Sequence, residues 1–229
     1  MEKIVDAKLK NYIENNILPE YKLNDLGHNI EHVNFVLERA YEISEAYDIS
    51  YDMLYTIVCF HDIACHINRE EHEILSAKKL YDDKFLNKFF DTKDLTTMKE
   101  AVEDHRASLE YVPRNIYGKI LSSADRKIGV DNYLHASIGF SIKKNPRLTD
   151  EELIEDSYKF AIKKFGKEGY AVKKIYVKDK KYEEFLQEIQ YLIDNKEEFV
   201  KRAQNKIKEL KRIKKNNCCL NYRIFVLLC

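Results

Sequence analysis

The chain has 229 residues and a mass of 27.2 kDa, the size of one large domain or one domain with an appendage, and needs neither disulfides nor a structural metal to be stable. Its 39 basic and 39 acidic residues cancel, which argues against the strong positive field of a dedicated nucleic-acid binder. Six Gly and three Pro are few for a sandwich, barrel or Rossmann sheet, so helix is the natural inference.

In chain order, the opening MEKIVDAKLK places charges where a signal peptide needs an apolar core, predicting a cytoplasmic protein that is not exported. Ile30, Val33, Phe35, Val36, Leu37, Ala40, Tyr41 and Ile43 form a wide apolar face over a polar one, the pattern of a first long helix. Residues 52–63 are almost continuously apolar, as in a helix buried on all sides, and any polar residue there needs a reason. Helical periodicity recurs over 70–81, 94–106, 114–128, 130–142, 149–165 and 180–213. Thr149 with Glu152 three residues later makes a capping box, and Asp94 is read as opening its helix. Pro113 and Pro146 punctuate loops, and Gly166 with Gly169 marks a turn. The best strand signal is 170–177, and no repeat is visible.

Residues 171–229 hold 15 Lys and Arg against 8 Asp and Glu, so the tail carries +7 and the body −7. A solvated basic helix over 176–215 accounts for this. Its Phe185, Ile189, Leu192, Phe199, Ile207 and Leu210, at helical spacing, either pack on the body or form the seam of a homodimer. The last apolar run, 224–229, is far too short to span a bilayer. Cys59, Cys65, Cys218, Cys219 and Cys229 are odd in number and read as free thiols. Cys59 and Cys65 are expected as small buried hydrophobes. Residues 216–229 differ in composition from the helix before them and are expected to be a disordered tail.

The chemistry centres on His61-Asp62, which closes the apolar helix in TIVCFHDIACH. An unpaired buried carboxylate is costly, so Asp62 must meet a hydrogen-bonding partner or a metal. His28 and His32 in GHNIEHV are four apart, one turn from each other on the same helix face. His72, His105 and Asp125 lie within or beside other helical segments and converge if those helices pack together. Imidazoles with carboxylates and no Cys suit a catalytic Mn, Fe, Ni, Zn, Co or Mg site better than a structural zinc.

The order His32, His61-Asp62, Asp125 on a helical chain resembles the HD-domain superfamily of metal-dependent phosphohydrolases, whose signature is H...HD...D. The match spans about residues 24–142, with His32-Val33 on an early helix and Ala124-Asp125-Arg126 in an ADR-like stretch. The resemblance implies an all-α, HD-domain-like bundle over 1–175 with a metal site at its centre. It implies a first metal on His32, His61, Asp62 and Asp125, and a second on His72 and His105 with Asp62 bridging. It implies hydrolysis of a phosphate ester of a small molecule by a metal-activated water. Beside it, Asp62 is a candidate to hold both metal and water, His28, one turn before His32, is a candidate phosphate contact, and Arg126, after Asp125, carries a fork of donors that suits phosphate. Arg69 and Arg106 are further candidates for phosphate contact.

There are departures. The common HDIGK is here HDIACH, Ser123 and Ile128 replace acidic residues of some relatives, and no GYP motif follows His105. A di-iron oxygenase or a non-catalytic nucleotide-sensing module remains open on the same ligand set.

Overall fold

The computed structural model describes residues 4–25 and 27–226, with side chains to residue 212. Among these residues the regular elements are all helical and no strand occurs. Two compact units form, the first from Met1–Arg126 with Ile175–Asp179 and the second from Lys127–Lys174 with Lys180–Cys229. The division falls at 126/127 rather than near 175 because the apolar faces sort into two cores, and from Val130 onward all the buried apolar residues but Val177 join the second.

The first unit begins with α1 (Ala7–Asn16), whose N-cap Asp6 accepts from the Lys8 and Leu9 amides. A 3-10 turn, Leu18–Leu23, follows with Pro19 at its start. Next come α2 (Ile30–Ser44), α3 (Tyr51–Phe60), α4 (His72–Tyr81), α5 (Leu86–Phe89), α6 (Thr92–Glu103) and α7 (Ile116–Ala124). Helix α3 is the hub. Every residue from Met53 to Phe60 is buried, and α1, α2, α4, α6 and α7 pack against it. Burying a side chain the size of Phe60 contributes about 1.5–3 kcal/mol, so the uniformly apolar sequence of α3 is what gathers the unit.

Caps set where the helices begin. The Asn29 side chain accepts from the Glu31 and His32 amides to open α2, Ser50 caps α3 and Asn115 caps α7. Helix α6 is opened by Asp91, which accepts from the Asp94 amide, so Asp94 lies in the first turn and is not the cap.

Residues 175–179 complete this unit. Val177 is buried in its core, the Lys178 amide donates to the Tyr47 hydroxyl at 3.4 Å, and Asp179 forms a buried ion pair with Arg39, Oδ2 to Nη2 2.5 Å. The strand signal at 170–177 is therefore not realised. With no strand to pair with, the segment starts as a short helix, α10 (Tyr170–Lys173), and continues as an irregular strap.

The second unit contains α8 (Val130–Lys144), α9 (Asp150–Phe165), α10, α11 (Lys180–Asp194) and α12 (Lys196–Val226). Gly129, at φ 94°, adopts the left-handed backbone that enters α8. The Thr149–Glu152 capping box opens α9, and a Cβ at Gly169 would collide with the Lys164 carbonyl in the α9–α10 turn.

The helix expected over 180–213 is two helices broken at Asn195. Arg202 Nη1 pairs with Glu188 Oε1 at 2.6 Å across the break, and Phe185, Ile189, Leu192, Phe199 and Ile207 are buried in one core. That apolar stripe is consumed within the unit. The tail expected from 216 falls on the α12 backbone as far as Val226. Its side chains, including Cys218 and Cys219, and residues 227–229 lie outside the described residues. Among the described residues no helix is long and apolar enough to cross a membrane.

Candidate metal centre

Six side chains from the ends of five helices meet in the first unit. His32 stands in the first turn of α2 and His72 at the start of α4. His61 and Asp62 follow the end of α3, His105 follows the end of α6, and Asp125 follows the end of α7. Helix ends carry unpaired backbone groups, and these fix two of the imidazoles, while a carbonyl of the turn before α4 fixes the third. His61 Nδ1 lies 2.7 Å from the Val58 carbonyl, His105 Nδ1 2.6 Å from that of Val102, and His72 Nδ1 3.0 Å from that of Arg69. A carbonyl only accepts, so each Nδ1 carries the proton and, in the neutral ring, each Nε2 presents a lone pair.

The turn after α3 is held from both sides. In a continued helix the Asp62 amide would reach the Val58 carbonyl. It instead donates to the buried Tyr21 hydroxyl at 3.3 Å, which itself donates to the Cys59 carbonyl at 3.1 Å. The Asp62 carbonyl accepts from Asn24 Nδ2 at 2.9 Å, and the Ala64 amide donates to Ser76 Oγ at 3.1 Å. Tyr21, Asn24 and Ser76 were not among the residues the sequence singled out. A buried Tyr needs a hydrogen-bond partner, but nothing in its local pattern names that partner.

Asp62 divides its two oxygens between two histidine pairs. Oδ2 lies 3.3 Å from His32 Nε2 and 3.2 Å from His61 Nε2. Oδ1 lies 3.1 Å from His72 Nε2 and 3.5 Å from His105 Nε2. Asp125 Oδ1 is 3.0 Å from His32 Nε2. Within the pairs, Nε2 atoms approach to 3.3 Å for His32 and His61 and to 3.2 Å for His72 and His105. In the second pair both Nδ1 atoms donate, so two neutral rings would set lone pair against lone pair. A cation between them removes the conflict, and a second-sphere hydrogen bond at Nδ1 is what metal-bound imidazoles characteristically make. The donor set thus fits divalent cations at two positions that share Asp62.

The electrostatics agree. Burial works against the charged form of Asp62, but His61, His105 and His32 outweigh it and hold the carboxyl well below its usual range. Asp125 is lowered in the same way, burial being outweighed chiefly by His32. Burial also opposes charge on His32, yet Asp125 and Asp62 raise its pKa to about 9. His105 is raised as well, with Asp62 prevailing over burial.

His28 has Nδ1 2.8 Å from Asp25 Oδ1 and the Arg69 guanidinium against its ring, 3.0 Å from Nδ1 and 3.3 Å from Nε2. It forms a third cluster with Asp62 and Cys65, whose ligand atoms lie within 4.8 Å of one another. Cys59 is buried as expected, but Cys65 is half-buried beside Asp62 in the turn and is no core hydrophobe. Burial and the Asp62 charge push the Cys65 thiol upward. Arg126 donates from Nε to the Ser122 carbonyl at 3.3 Å and faces the Tyr176 ring at 5.8 Å. Arg106 is engaged by Glu73, with Nη1 3.0 and 3.2 Å from the two carboxylate oxygens.

A search of the solved structures finds similarity to the crystal structure of a predicted HD superfamily hydrolase from an uncultured Thermotogales bacterium. The two are 23% identical over 71% of this chain and 91% of that one, with a TM-score of 0.46. A scan against protein-family models and a search of the curated proteins find no match.

Proposed function

We propose that the chain is a metal-dependent phosphohydrolase of the HD-domain superfamily, acting on a phosphate mono- or diester of a small molecule such as a nucleotide or related metabolite. The observation that carries this reading is the single buried carboxylate of Asp62, with a different oxygen turned toward each of two imidazole pairs. On this reading His32, His61, Asp62 and Asp125 hold one ion, and Asp62, His72 and His105 hold a second. Divalent cations bound there supply Lewis acidity, which brings the pKa of water from about 15.7 toward neutrality and neutralises charge on phosphoryl oxygens.

The remaining work belongs to the chain. Asp62, fixed at its amide by Tyr21 and at its carbonyl by Asn24, keeps the two ligand sets in register. His28 is oriented through Nδ1 by Asp25 and lies against Arg69, which is also paired with Asp25 and brings guanidinium N–H donors to the edge of the site. Arg126 follows Asp125 directly and holds a planar fork of donors that suits phosphate.

The test is hydrolysis of a panel of nucleotides and phosphorylated metabolites with Mn, Mg, Co, Ni, Zn or Fe added, read as phosphate release from monoesters and as phosphomonoester formation from diesters, comparing the native chain with Asp62→Ala. Turnover that requires metal and is abolished by the substitution is the expected result. Metal binding without hydrolysis of any monoester or diester would defeat the reading and leave the oxygenase and sensor alternatives.

A further inference from the structure

The two imidazole pairs are anchored differently. His61 and Asp62 extend the buried hub helix and are tied to the core by Tyr21. His32 sits in a helical turn capped by Asn29. By contrast, α4 begins at His72 with no side-chain cap, and His105 lies beyond the last residue of α6. These two histidines must nevertheless hold their Nε2 atoms 3.2 Å apart from two separate helix ends.

What joins those ends is an ion pair between the residues that immediately follow the two histidines. Arg106 Nη1 donates to Glu73 Oε1 at 3.0 Å and Oε2 at 3.2 Å, and to the Glu70 carbonyl at 2.5 Å, just ahead of α4. One guanidinium nitrogen thus ties the uncapped start of α4 to the segment after α6. On the other side of His105, the buried Asp104 is clasped by the Arg114 amide at 2.8 Å, by its Nε and Nη2, and by the Tyr111 hydroxyl at 2.9 Å. That clasp fixes one flank of His105; on the other flank α4 packs on α6, and the Arg106–Glu73 pair is the side-chain link that ties the residue after His105 to the residue after His72.

We propose that Glu73 and Arg106 are positioning residues that decide whether the second cation binds, by holding His72 and His105 in register. The inference rests on the two-ion reading above. Arg106 and Glu73 keep 34% and 15% of their side-chain surface exposed, and ion pairs so placed contribute little to global stability. Breaking the pair should therefore leave the fold and the first ion in place. The second ion, which depends on the ligands' orientation, should bind about 10–100-fold more weakly, as when a metal's supporting hydrogen bonds are removed. Lysine at 106 keeps the charge but ends about one bond short of Nη1, so its ammonium does not reach Glu73 and the Glu70 carbonyl together as that single nitrogen does.

The experiment titrates Mn2+ alone into the metal-free full chain and into Arg106→Gln, Arg106→Lys and Glu73→Gln. Stoichiometry is read by calorimetry, and the coupling of neighbouring Mn2+ ions by electron paramagnetic resonance. The native chain should take up two ions and show a coupled signal. Each variant should keep one tight site, lose the coupled signal at low Mn2+, and retain native helicity by circular dichroism. Glu73→Gln preserves the shape of its side chain and stands in if an Arg106 variant fails to fold. Variants that bind two ions as tightly as the native chain would overturn the proposal, as would folded variants that lose both ions in parallel. A native chain that takes up only one ion would defeat the two-ion reading itself, and the proposal with it.

Discussion

Tyr21→Phe removes one oxygen from the core and should separate metal affinity from stability. The native hydroxyl accepts from the Asp62 amide at 3.3 Å and donates to the Cys59 carbonyl at 3.1 Å. Each such neutral bond is worth about 1 kcal/mol net. Without the hydroxyl, the Asp62 amide can recover a partner only by turning back to the Val58 carbonyl, the acceptor that orients His61 Nδ1 at 2.7 Å. The net loss of stability is then about 1–2 kcal/mol, or about 3–6 °C in Tm at this chain length. The affinity for Mn2+ should fall further, by about 10–100-fold, because the rotation disturbs Asp62 and the His61 tautomer together. The chain has no Trp, so unfolding is best followed by circular dichroism, with metal binding measured by calorimetry on the same preparations. A variant with lowered Tm and native Mn2+ affinity would refute the account, since Tyr21 would then be packing alone.

The pH dependence of the metal-free chain has a definite sign. Burial opposes charge on His32, but Asp125 and Asp62 raise its pKa to about 9, against about 6.5 unfolded. Its contribution is fully present below about pH 6.5 and is lost as pH rises through 9. Urea denaturation of chelator-treated protein should therefore show stability falling over that window by an amount of order 3 kcal/mol, and a flat profile would contradict the assignment. Mn2+ binding must displace the same proton, so its affinity should climb across the same range. Asp179→Ala leaves Arg39 in the core with only Glu42 as a charged partner and should cost about 3 kcal/mol, whereas the double change Arg39→Met with Asp179→Ala should recover much of it. Equal losses in the single and double variants, measured by urea denaturation, would show that the cost does not come from leaving Arg39 buried without Asp179. His72→Ala should remove one bound Mn2+ and spare the other, which equilibrium dialysis would count.

Much of this was legible in the sequence because it depends on local pattern. The hub helix was visible in the unbroken apolar run before His61, α2 in its wide face, and α9 in Thr149 and Glu152. His61 and Asp62 were visible because they interrupt an apolar segment, and His32, His72, His105 and Asp125 were joined to them by the resemblance to the HD-domain superfamily. What the sequence did not show depends on contacts between distant segments. The break at Asn195 lies in a stretch whose helical period continues on both sides, and only burial of both halves in one core turns the chain back. Tyr21 and Asn24 act on Asp62 from about 40 positions away, and Glu73 meets Arg106 from separate helices. The strap at 175–179 carries the β-branched residues of a strand, and pattern alone does not reveal that the described residues hold no strand for it to pair with.

One regularity unites the fold and the site. His61 bonds the carbonyl of Val58, His72 that of Arg69 and His105 that of Val102, each three residues back. Val58 and Val102 lie in the last turns of α3 and α6, where carbonyls lack an intrahelical partner. The bond that satisfies the helix end is therefore the same bond that places the proton on Nδ1 and frees Nε2 for a cation. Capping and ligand orientation cannot be separated by evolution or by mutation at these positions. Replacing His61 or His105 with a side chain that only fills space must expose a carbonyl as well as remove a ligand, while replacing His32, which is oriented by its helix and not by such a bond, should cost metal affinity with less damage to the fold. Comparing the urea stability of metal-free His61→Leu, His105→Leu and His32→Leu above pH 9, where the charge on His32 no longer contributes, tests this directly. A loss in His32→Leu as large as in the other two would show that the carbonyl bonds do not cap the helices in any energetic sense.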